Sequence, residues 1–523
     1  LRDYDLGMLR VVIIKPSKYG MTGYVERFRR GFMPNSTVPY IRSMTPSTIE
    51  GERIETYAID EYVQTDLGYL DLLRNPSSPT LLAVVGVQSH QFQRSLDLAA
   101  FARANGVRHC VIGGPHPMTC DTSVLHNRGV SFAMAEAEML WLPILRDAIR
   151  GELRPVYGRN QRWAQELQAP VLEPPSARDL RRYVVPMLGI YPARGCPFTC
   201  NFCSVIKIAG RQIRSQAIDV TMESLRKARA AGVRLVMFTS DNFNKYSEAP
   251  DLLEQMIAEK IRIPFFVQCD TQIARQEDFV SLLAKAGCFE MFVGVESFKR
   301  QTLLAAHKAQ NHPSAYGEIV KLCRKYGIVS HFSNILGFPD DTAAAIREHL
   351  DVLRGLNPDV ASFYILTPIP GTQQYDEFLA AGWITEQNLD RYDATTTTWR
   401  HPNLSSAELE DALFRCYRKF YTASHILGTA IWTDLPKIRW SLRPKQLCSD
   451  FLPYIGHPIF TRFAAAKKMH PMSGGVSRVQ VDSWCDYREL RRRRFGLDLV
   501  PLPKSLELSQ ADAELNRQAK IAI

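Results

Sequence analysis

The chain has 523 residues, 46% of them hydrophobic and 23% charged, with a formal net charge of +10. That length is too great for one ordinary core, so two or three domains are expected, and the apolar and charged fractions are those of a globular protein. The 11 cysteines are scattered rather than framed as in a short secreted scaffold. No stretch reaches the ~18–20 apolar residues that span a bilayer, and no signal peptide precedes the first strand, so a reducing cytoplasm is the expected setting. Part of the positive charge lies in local runs, Arg491 to Arg494 and Lys467-Lys468. Such runs suit an anionic substrate, a membrane surface or nucleic acid, although a solvated basic face accounts for each of them as well.

Residues 1–150 alternate strand-like and helix-like segments. Buried-strand patterns occupy 9–15 (LRVVIIK), 53–57, 81–86 (LLAVVG), 107–113 (VRHCVIG) and 130–134. Between the third and fourth lies 92–105, with Leu96, Leu98, Ala99, Phe101 and Ala102 at helical spacing. Strands alternating with helices of this length predict a parallel sheet covered by helices on both faces, with ligands at the carboxyl ends of its strands. Three loops fall at such ends: Lys15-Pro16-Ser17-Lys18-Tyr19-Gly20, Gln88-Ser89-His90-Gln91-Phe92 and Gly113-Gly114-Pro115-His116-Pro117. The glycine pair would let a bulky planar or phosphate-bearing ligand approach the backbone, though ordinary strand-to-helix turns look alike.

Residues 151–182, rich in Arg, Pro, Gln and Glu, read as a linker. A strand at 183–191 then leads into a cysteine loop, and five more strands are expected at 235–239, 265–269, 291–295, 329–336 and 360–366. Helices are expected between them at 217–231, 277–286, 313–326 and 342–356. Six strands in βα order predict a partial (β/α)6 barrel over 183–395 with its chemistry at the carboxyl-terminal mouth. From about 396 the rhythm stops. Residues 409–429 read as a helix with Arg415, Arg418 and Lys419 among Leu413, Phe414, Tyr417, Phe420 and Tyr421, followed by Phe460, Phe463, Lys467 and Lys468. We expect 396–523 to form a C-terminal α-rich domain that caps the barrel. Its basic, aromatic helix either packs on the protein or offers peripheral contact to a membrane.

Cys196, Cys200 and Cys203 form a C-x3-C-x2-C triplet within Arg194-Gly195-Cys196-Pro197-Phe198-Thr199-Cys200-Asn201-Phe202-Cys203. Three thiolates on one short loop suit three corners of a cubane iron–sulfur cluster, leaving one iron open. A structural zinc knuckle would want a fourth Cys or His nearby, and the next cysteine is Cys269. The triplet and its setting resemble the radical S-adenosylmethionine (SAM) superfamily. Over 183–376 further motifs agree with it strand by strand: Thr239-Ser240-Asp241-Asn242-Phe243, Gly294-Val295-Glu296-Ser297 (GxES), Ile335-Leu336-Gly337-Phe338-Pro339 and Pro368-Ile369-Pro370-Gly371-Thr372 (PxPGT). Residues 1–150 look like the cobalamin-binding module often fused ahead of such a domain, Gly113-Gly114-Pro115-His116-Pro117 being its most typical piece. The D-x-H-x-x-G signature of modules that ligate cobalt through histidine is replaced by Lys15-x-Ser17-x-x-Gly20, which keeps only the glycine.

The resemblance implies an α/β fold: a Rossmann-like, flavodoxin-like cobalamin-binding domain (1–150), a linker, a radical SAM barrel and the C-terminal domain. It implies a 4Fe-4S cluster on Cys196, Cys200 and Cys203. SAM contacts would come from Phe202, Ser240, Asp241, Gln268, Glu296, Ser297, Gly337 and Pro370. Cobalamin contacts would come from Ser17, Gly20, Ser89, His90, Gly113, Gly114 and His116. Asp241, Asp270 and Tyr364 are candidate catalytic residues. Gln268, Asp270 and Gln272 alternate at the end of the third barrel strand, so a common inward direction is expected. The implied activity is a cobalamin-dependent methyl transfer to an unactivated carbon of a small-molecule, lipid or peptide substrate, fed by an external flavodoxin- or ferredoxin-like electron donor. Oxidation, cyclisation or rearrangement on the same barrel is the alternative. A methylthiotransferase-like RNA modifier is disfavoured by the lack of a second cysteine triplet and of a recognisable RNA-binding module, so no nucleic-acid partner is expected. An iron–sulfur electron carrier would use four cysteines per cluster.

Overall fold

The computed structural model describes residues 7–429, 461–466 and 474–518. Val11, Val12, Ile13 and Ile14 are fully buried in the first strand, Met8–Lys15, as an uninterrupted apolar run between two helical layers requires. Around it a seven-stranded sheet runs in the order Thr48–Ile49, Glu52–Asp60, Met8–Lys15, Thr80–Val84, His109–Gly113, Ser131–Ala133, Val156–Tyr157. Every pairing is parallel except the first. All five strands expected before residue 150 form, with the helix Phe92–Ala104 between the third and fourth of them. The strand order reverses between Met8–Lys15 and Thr80–Val84, the place where a sheet of this kind opens a crevice. The expected linker contributes the seventh strand, and its only α-helix is the single turn Ala177–Leu180.

A second sheet has six parallel strands in consecutive order: Met187–Ile190, Leu235–Phe238, Phe265–Cys269, Cys288–Glu296, Val329–Leu336 and Val360–Ile365. Helical connections such as Ile218–Ala230, Glu277–Ala286, Tyr316–Tyr326 and Ala343–Leu356 between parallel strands bring all six carboxyl ends to one edge. This is the strand order expected of a partial barrel. An open barrel leaves the last strand with an unpaired edge. Here Tyr421 accepts the Ala361 N–H (3.0 Å) and donates to the Ala361 carbonyl (2.9 Å). Tyr417, one helical turn earlier on Ser406–Phe420, does the same for Phe363 at 3.0 and 3.1 Å.

That use of the helix answers what its aromatic face is for. Leu409, Leu413, Phe414, Tyr417 and Phe420 are buried against the barrel edge rather than offered to a membrane. Phe463 is exposed, while Phe460, Lys467 and Lys468 lie outside the described residues. Residues 474–518 turn back to the first sheet's side of the molecule. Gly475–Val479 pairs antiparallel with Arg27–Gly31, and Trp484–Phe495 packs on Phe92–Ala104. The basic run 491–494 is therefore not a uniform solvated face: Arg491 is fully buried and holds Asp97 through two contacts of 2.6 and 2.7 Å. Among the described residues no helix is long and apolar enough to cross a membrane.

Candidate functional site

The cysteine loop leaves the first barrel strand through Ala193–Arg194, which pairs antiparallel with Arg214–Ser215. Gly195 has φ +110°, and a Cβ there would stand 2.2 Å from the Gln212 carbonyl oxygen, so only glycine lets the loop turn this close to its return strand. Its N–H donates to Asp241 Oδ2 at 2.8 Å, which ties the loop to the neighbouring strand end. The Cys196 N–H donates to the Gly210 carbonyl (3.1 Å), the Asn201 N–H to Ala306 (3.2 Å), and the Asn201 carbonyl accepts from Gln374 (3.0 Å). The loop is thus fixed from three directions.

Burial pushes the Cys196 thiol up to about 11, the Cys203 thiol up to about 12, and the Cys200 thiol upward as well. Buried thiols of this kind ionise when a metal centre compensates the thiolate charge. Among the described residues no three His, Cys, Asp or Glu groups converge to hold a single ion. Two amides address the sulfurs: Asn242 Nδ2 lies 3.9 Å from Cys196 Sγ and Gln310 Nε2 lies 3.7 Å from Cys200 Sγ. Hydrogen bonds to sulfur are a means by which proteins tune iron–sulfur clusters, and this soft donor set fits one.

Around the loop the implied SAM residues fall into distinct settings. Ser240 is 1% exposed and its Oγ has no hydrogen-bond partner among the described residues, a buried donor left open beside Gly195 and Asp241. Burial raises the Asp241 carboxyl above its ordinary value. Glu296 ends its strand at φ +62° after a break in register, a backbone setting that non-glycine residues seldom adopt. Its carboxylate accepts from Lys308 Nζ (2.9 Å) and Ser333 Oγ (3.1 Å). Burial alone would lower the Lys308 ammonium, but Glu296 and the Cys200 thiol hold it above the ordinary lysine range. Lys308 also stands 5.7 Å over the Phe202 ring, which meets Phe338 edge-on at 6.4 Å. Glu296, Lys308, Phe202 and Cys200 therefore belong to one cluster.

Other expected residues take structural parts. The third strand ends at Cys269, so Asp270 and Gln272 do not continue the alternation that leaves Gln268 half-buried on the inner face with Phe266. Asp270 instead caps the turn Thr271–Arg275, accepting the Gln272 N–H at 2.7 Å, while its other oxygen accepts from Asn242 Nδ2 at 2.9 Å. Ser297 accepts the Lys299 N–H (3.2 Å), and the Gly337 N–H donates to Asp341 Oδ2 (2.9 Å). Pro370 lies in the turn after the sixth strand, where Thr372 caps Gln373–Ala380. Tyr364 is half-buried near the end of its strand, its hydroxyl raised to about 12 by burial.

At the crevice of the first sheet, Lys15 Nζ donates to the Gly86 carbonyl and to Gln91 Oε1, closing the loop ends on each other. Ser17 is held by Glu61 through its N–H (2.9 Å) and gives its hydroxyl to the Glu26 carbonyl, and the Gly20 N–H donates to Tyr24 (2.9 Å). Gly114, at φ +135°, has no room for a side chain because the Val87 nitrogen would lie 2.1 Å from its Cβ. The close approach that this glycine allows is thus to the neighbouring loop, and Gly113 likewise packs on Ala133. His116 stacks on Phe92 at 3.9 Å and shares a 3.0 Å hydrogen bond between Nδ1 and Ser89. Its Nε2 has no partner among the described residues, and burial pushes its pKa down to about 3. His90, also lowered to about 3 by burial, sits beside Lys18, which is ion-paired to Asp393. Buried unpartnered Nε2 and the crevice position fit the edge of a polar cofactor.

The two sheets meet beside the cysteine loop. Arg194 lies between the Tyr40 and Tyr191 rings (5.1 and 4.8 Å) and pairs with Glu138 (2.9 Å) and Glu136 (3.3 Å) of the first sheet's side. Arg214 grips both Glu136 oxygens at 2.8 Å. Sequence reasoning missed Arg194, Arg214, Lys308 and Gln310. Only the position of Arg194, directly before the Gly-Cys pair, carried a local signal.

Residues 190–353 match the family model for the radical SAM superfamily. Over 338 residues the chain is 26% identical to a bacteriochlorophyllide d C-12(1)-methyltransferase of Chlorobaculum tepidum, a match covering 62% of this chain and 71% of that protein. A bacteriochlorophyllide d C-8(2)-methyltransferase of the same organism is 26% identical, over 66% of this chain and 79% of the relative. Among solved structures, the radical SAM methyltransferase TsrM of Kitasatospora setae, with cobalamin and a 4Fe-4S cluster bound, superposes with a TM-score of 0.59 at 16% identity. That match covers 88% of this chain and 99% of TsrM, and it is a likeness of fold.

Proposed function

We propose that this chain, which belongs to the radical S-adenosylmethionine superfamily, is a cobalamin-dependent methyltransferase acting on an unactivated carbon of a small molecule. The observation that carries the reading is the cysteine loop at the carboxyl edge of the six-stranded sheet, ion-paired through Arg194 to Glu136 and Glu138 at the start of the helix Ala137–Arg150, which follows the sixth strand of the first sheet. Full-length likeness to a methyltransferase that binds both a cluster and cobalamin, and sequence similarity to two further methyltransferases, support it. When bound, the cluster supplies an open iron and an electron for cleaving SAM, and cobalamin supplies a methyl carrier.

The protein's own share is binding, orientation and exclusion of water. In this reading Cys196, Cys200 and Cys203 hold the cluster. Phe202, Ser240, Asp241, Gln268, Glu296, Ser297, Gly337 and Pro370 surround SAM, with Asp241 acting through the Gly195 N–H to set the loop. Ser17, Gly20, Ser89, His90, Gly113, Gly114 and His116 would border cobalamin, and the loop after the first strand, Lys15 to Gly20, offers it no histidine. Residues 1–150 form the cobalamin-binding unit, 151–182 join it to the barrel at 183–395, and 396–523 serve both. With Asp270 engaged as a cap, Tyr364 is the candidate that remains for proton handling. The electron comes from an external carrier, and the protein works in the cytoplasm.

The test is cofactor content of protein purified without oxygen from cells supplied with cobalamin. About four irons with near-stoichiometric cobalt per chain is the expected result. Iron without cobalt, even after cobalamin is offered, would replace methyl transfer by a radical oxidation, cyclisation or rearrangement.

A further inference from the structure

The two amides that reach the cysteine sulfurs are held by one strand end. Asn242 Nδ2 lies 3.9 Å from Cys196 Sγ, and Gln310 Nε2 lies 3.7 Å from Cys200 Sγ. Asn242 comes from the loop after the second barrel strand, and Gln310 from the segment beyond the fourth. Between them the third strand, Phe265–Cys269, ends in Asp270 and Thr271. Asp270 Oδ2 accepts from Asn242 Nδ2 at 2.9 Å, and the Asp270 N–H donates to Asn242 Oδ1 at 3.2 Å. Thr271 gives its hydroxyl to Asn311 Oδ1 at 3.0 Å and reaches the Gln310 carbonyl at 3.4 Å. Consecutive residues of one strand end therefore grip both amide-bearing loops.

That grip decides which atom faces the sulfur. A carboxylate only accepts and a backbone N–H only donates, so the Asn242 amide has one orientation: its oxygen toward the Asp270 N–H and its nitrogen toward the Asp270 carboxylate. One hydrogen of Nδ2 is taken by the carboxylate, and the second is left for Cys196. Asn242 is 3% exposed and Asp270 is 8% exposed, so little water reaches the pair. On the other side, residues 309–311 are bolted down. Asn311, fully buried, donates from Nδ2 to the Gly294 and Val295 carbonyls (2.8 and 3.0 Å), and Arg300 donates to the Ala309 carbonyl (2.8 Å). The neighbours of Gln310 on both sides are thus fixed, and its side chain extends from a rigid base to Cys200. An N–H directed at a thiolate sulfur stabilises the added negative charge of a reduced cluster and so raises its potential.

We propose that Asn242 and Gln310 set the reduction potential of the cluster held by Cys196, Cys200 and Cys203, and that Asp270 is the positioning residue that aims Asn242. The proposal rests on the cluster in the methyltransferase reading and is independent of cobalamin and of methyl transfer. An external flavodoxin- or ferredoxin-like carrier gives up one electron and is oxidised by one. The bound cluster gains that electron, and no bond forms or breaks and no proton moves. Burial of the loop opposes the extra negative charge, as it opposes thiolates there. Two amide dipoles aimed at two of the three sulfurs offset that opposition and ease reduction by the carrier. Asp270, an inward carboxylate in the sequence pattern, then serves the reaction through Asn242 without touching substrate.

The test is a redox titration of the full chain, purified without oxygen and reconstituted with iron and sulfide, in the absence of SAM and cobalamin. Electron paramagnetic resonance follows the reduced cluster, and iron is counted in every variant. Asn242→Leu and Gln310→Leu each remove one donor at nearly constant volume. Each should lower the equilibrium constant for one-electron reduction about threefold, roughly 28 mV at about 59 mV per tenfold, with iron unchanged. Asp270→Ala removes a charge together with an anchor, so a double-mutant cycle isolates its part. In the Asp270→Ala background the fall caused by Asn242→Leu should shrink, while that caused by Gln310→Leu should persist. Two full-sized falls in that background, or equal shrinkage of both, would overturn the role of Asp270. Unmoved midpoints in both leucine variants with iron retained would overturn the proposal and leave the cluster reading standing. Loss of iron from both would make the amides supports of the loop and overturn it as well. A parent chain that binds no cluster would overturn the reading, and the proposal with it. Gln310→Leu, at a half-buried position, carries the comparison if Asn242→Leu fails to fold.

Discussion

Cys200 and Glu296 lie in the same cluster of side chains, yet they answer to different demands, and substitution separates them. Replacing Cys196, Cys200 and Cys203 with Ala removes every thiolate of the loop, so iron and SAM consumption should be lost together. Glu296→Gln keeps an acceptor for Lys308 and Ser333 while removing the charge. It should retain iron and lower SAM affinity by about tenfold or more, a loss of about 1.4 kcal/mol, measured by equilibrium binding. Loss of iron from this variant would make Glu296 a structural prop for Lys308 and the loop instead. The cysteines were legible because three thiols within eight residues form a local pattern. Lys308 was not, because an isolated lysine acquires meaning only when folding sets it at 2.9 Å from Glu296.

At the scale of elements, the parallel sheets were readable because buried strands are apolar throughout and alternate with helices of regular length. All six barrel strands lie where the pattern put them, with ends moved by a few residues, most at 183–191, where only Met187–Ile190 pairs. The purpose of the helix Ser406–Phe420 was not readable. Its aromatic, basic pattern suits a membrane or a core equally, and what decides is the open edge of Val360–Ile365. Tyr417 and Tyr421 each return two hydrogen bonds to that edge, at spacing i and i+4 against alternate residues of the strand. Changing either to Phe leaves a buried N–H and C=O unsatisfied, which costs about 1–3 kcal/mol. Thermal or urea unfolding should show both single variants destabilised by that order. Because the two cap one strand, the double variant should depart from additivity. Loss of less than a few tenths of a kcal/mol in each would mean that water replaces the hydroxyls and that the edge is not sealed by them.

Across the whole molecule, the first sheet and the barrel must hold a fixed relation if chemistry passes between them. Little of that relation is visible in sequence, because it rests on charges that are unremarkable until paired. The return of residues 474–518 to the first sheet, with Arg491 buried on Asp97, was hidden in a run of arginines that reads as surface. The joint beside the cysteine loop is similar: Glu136 receives Arg214 and Arg194 while Glu138 shares Arg194. Burial works to raise the Glu136 carboxyl, but the two guanidiniums hold it below its ordinary 4.5. A carboxyl lowered on folding contributes stability above its unfolded value, and that contribution is lost as pH falls through the folded value. Glu136→Gln leaves Arg214 buried without a counter-charge, at a cost of about 3–5 kcal/mol. The gap from the parent protein should be widest near neutral pH and close on acidification. Hydrogen exchange should locate the damage: residues 193–216 lose protection while Phe265–Cys269, in the middle of the barrel sheet, keeps it. Uniform loss across both regions would make Glu136 a general core residue, and the cysteine loop would then owe its position to the barrel alone.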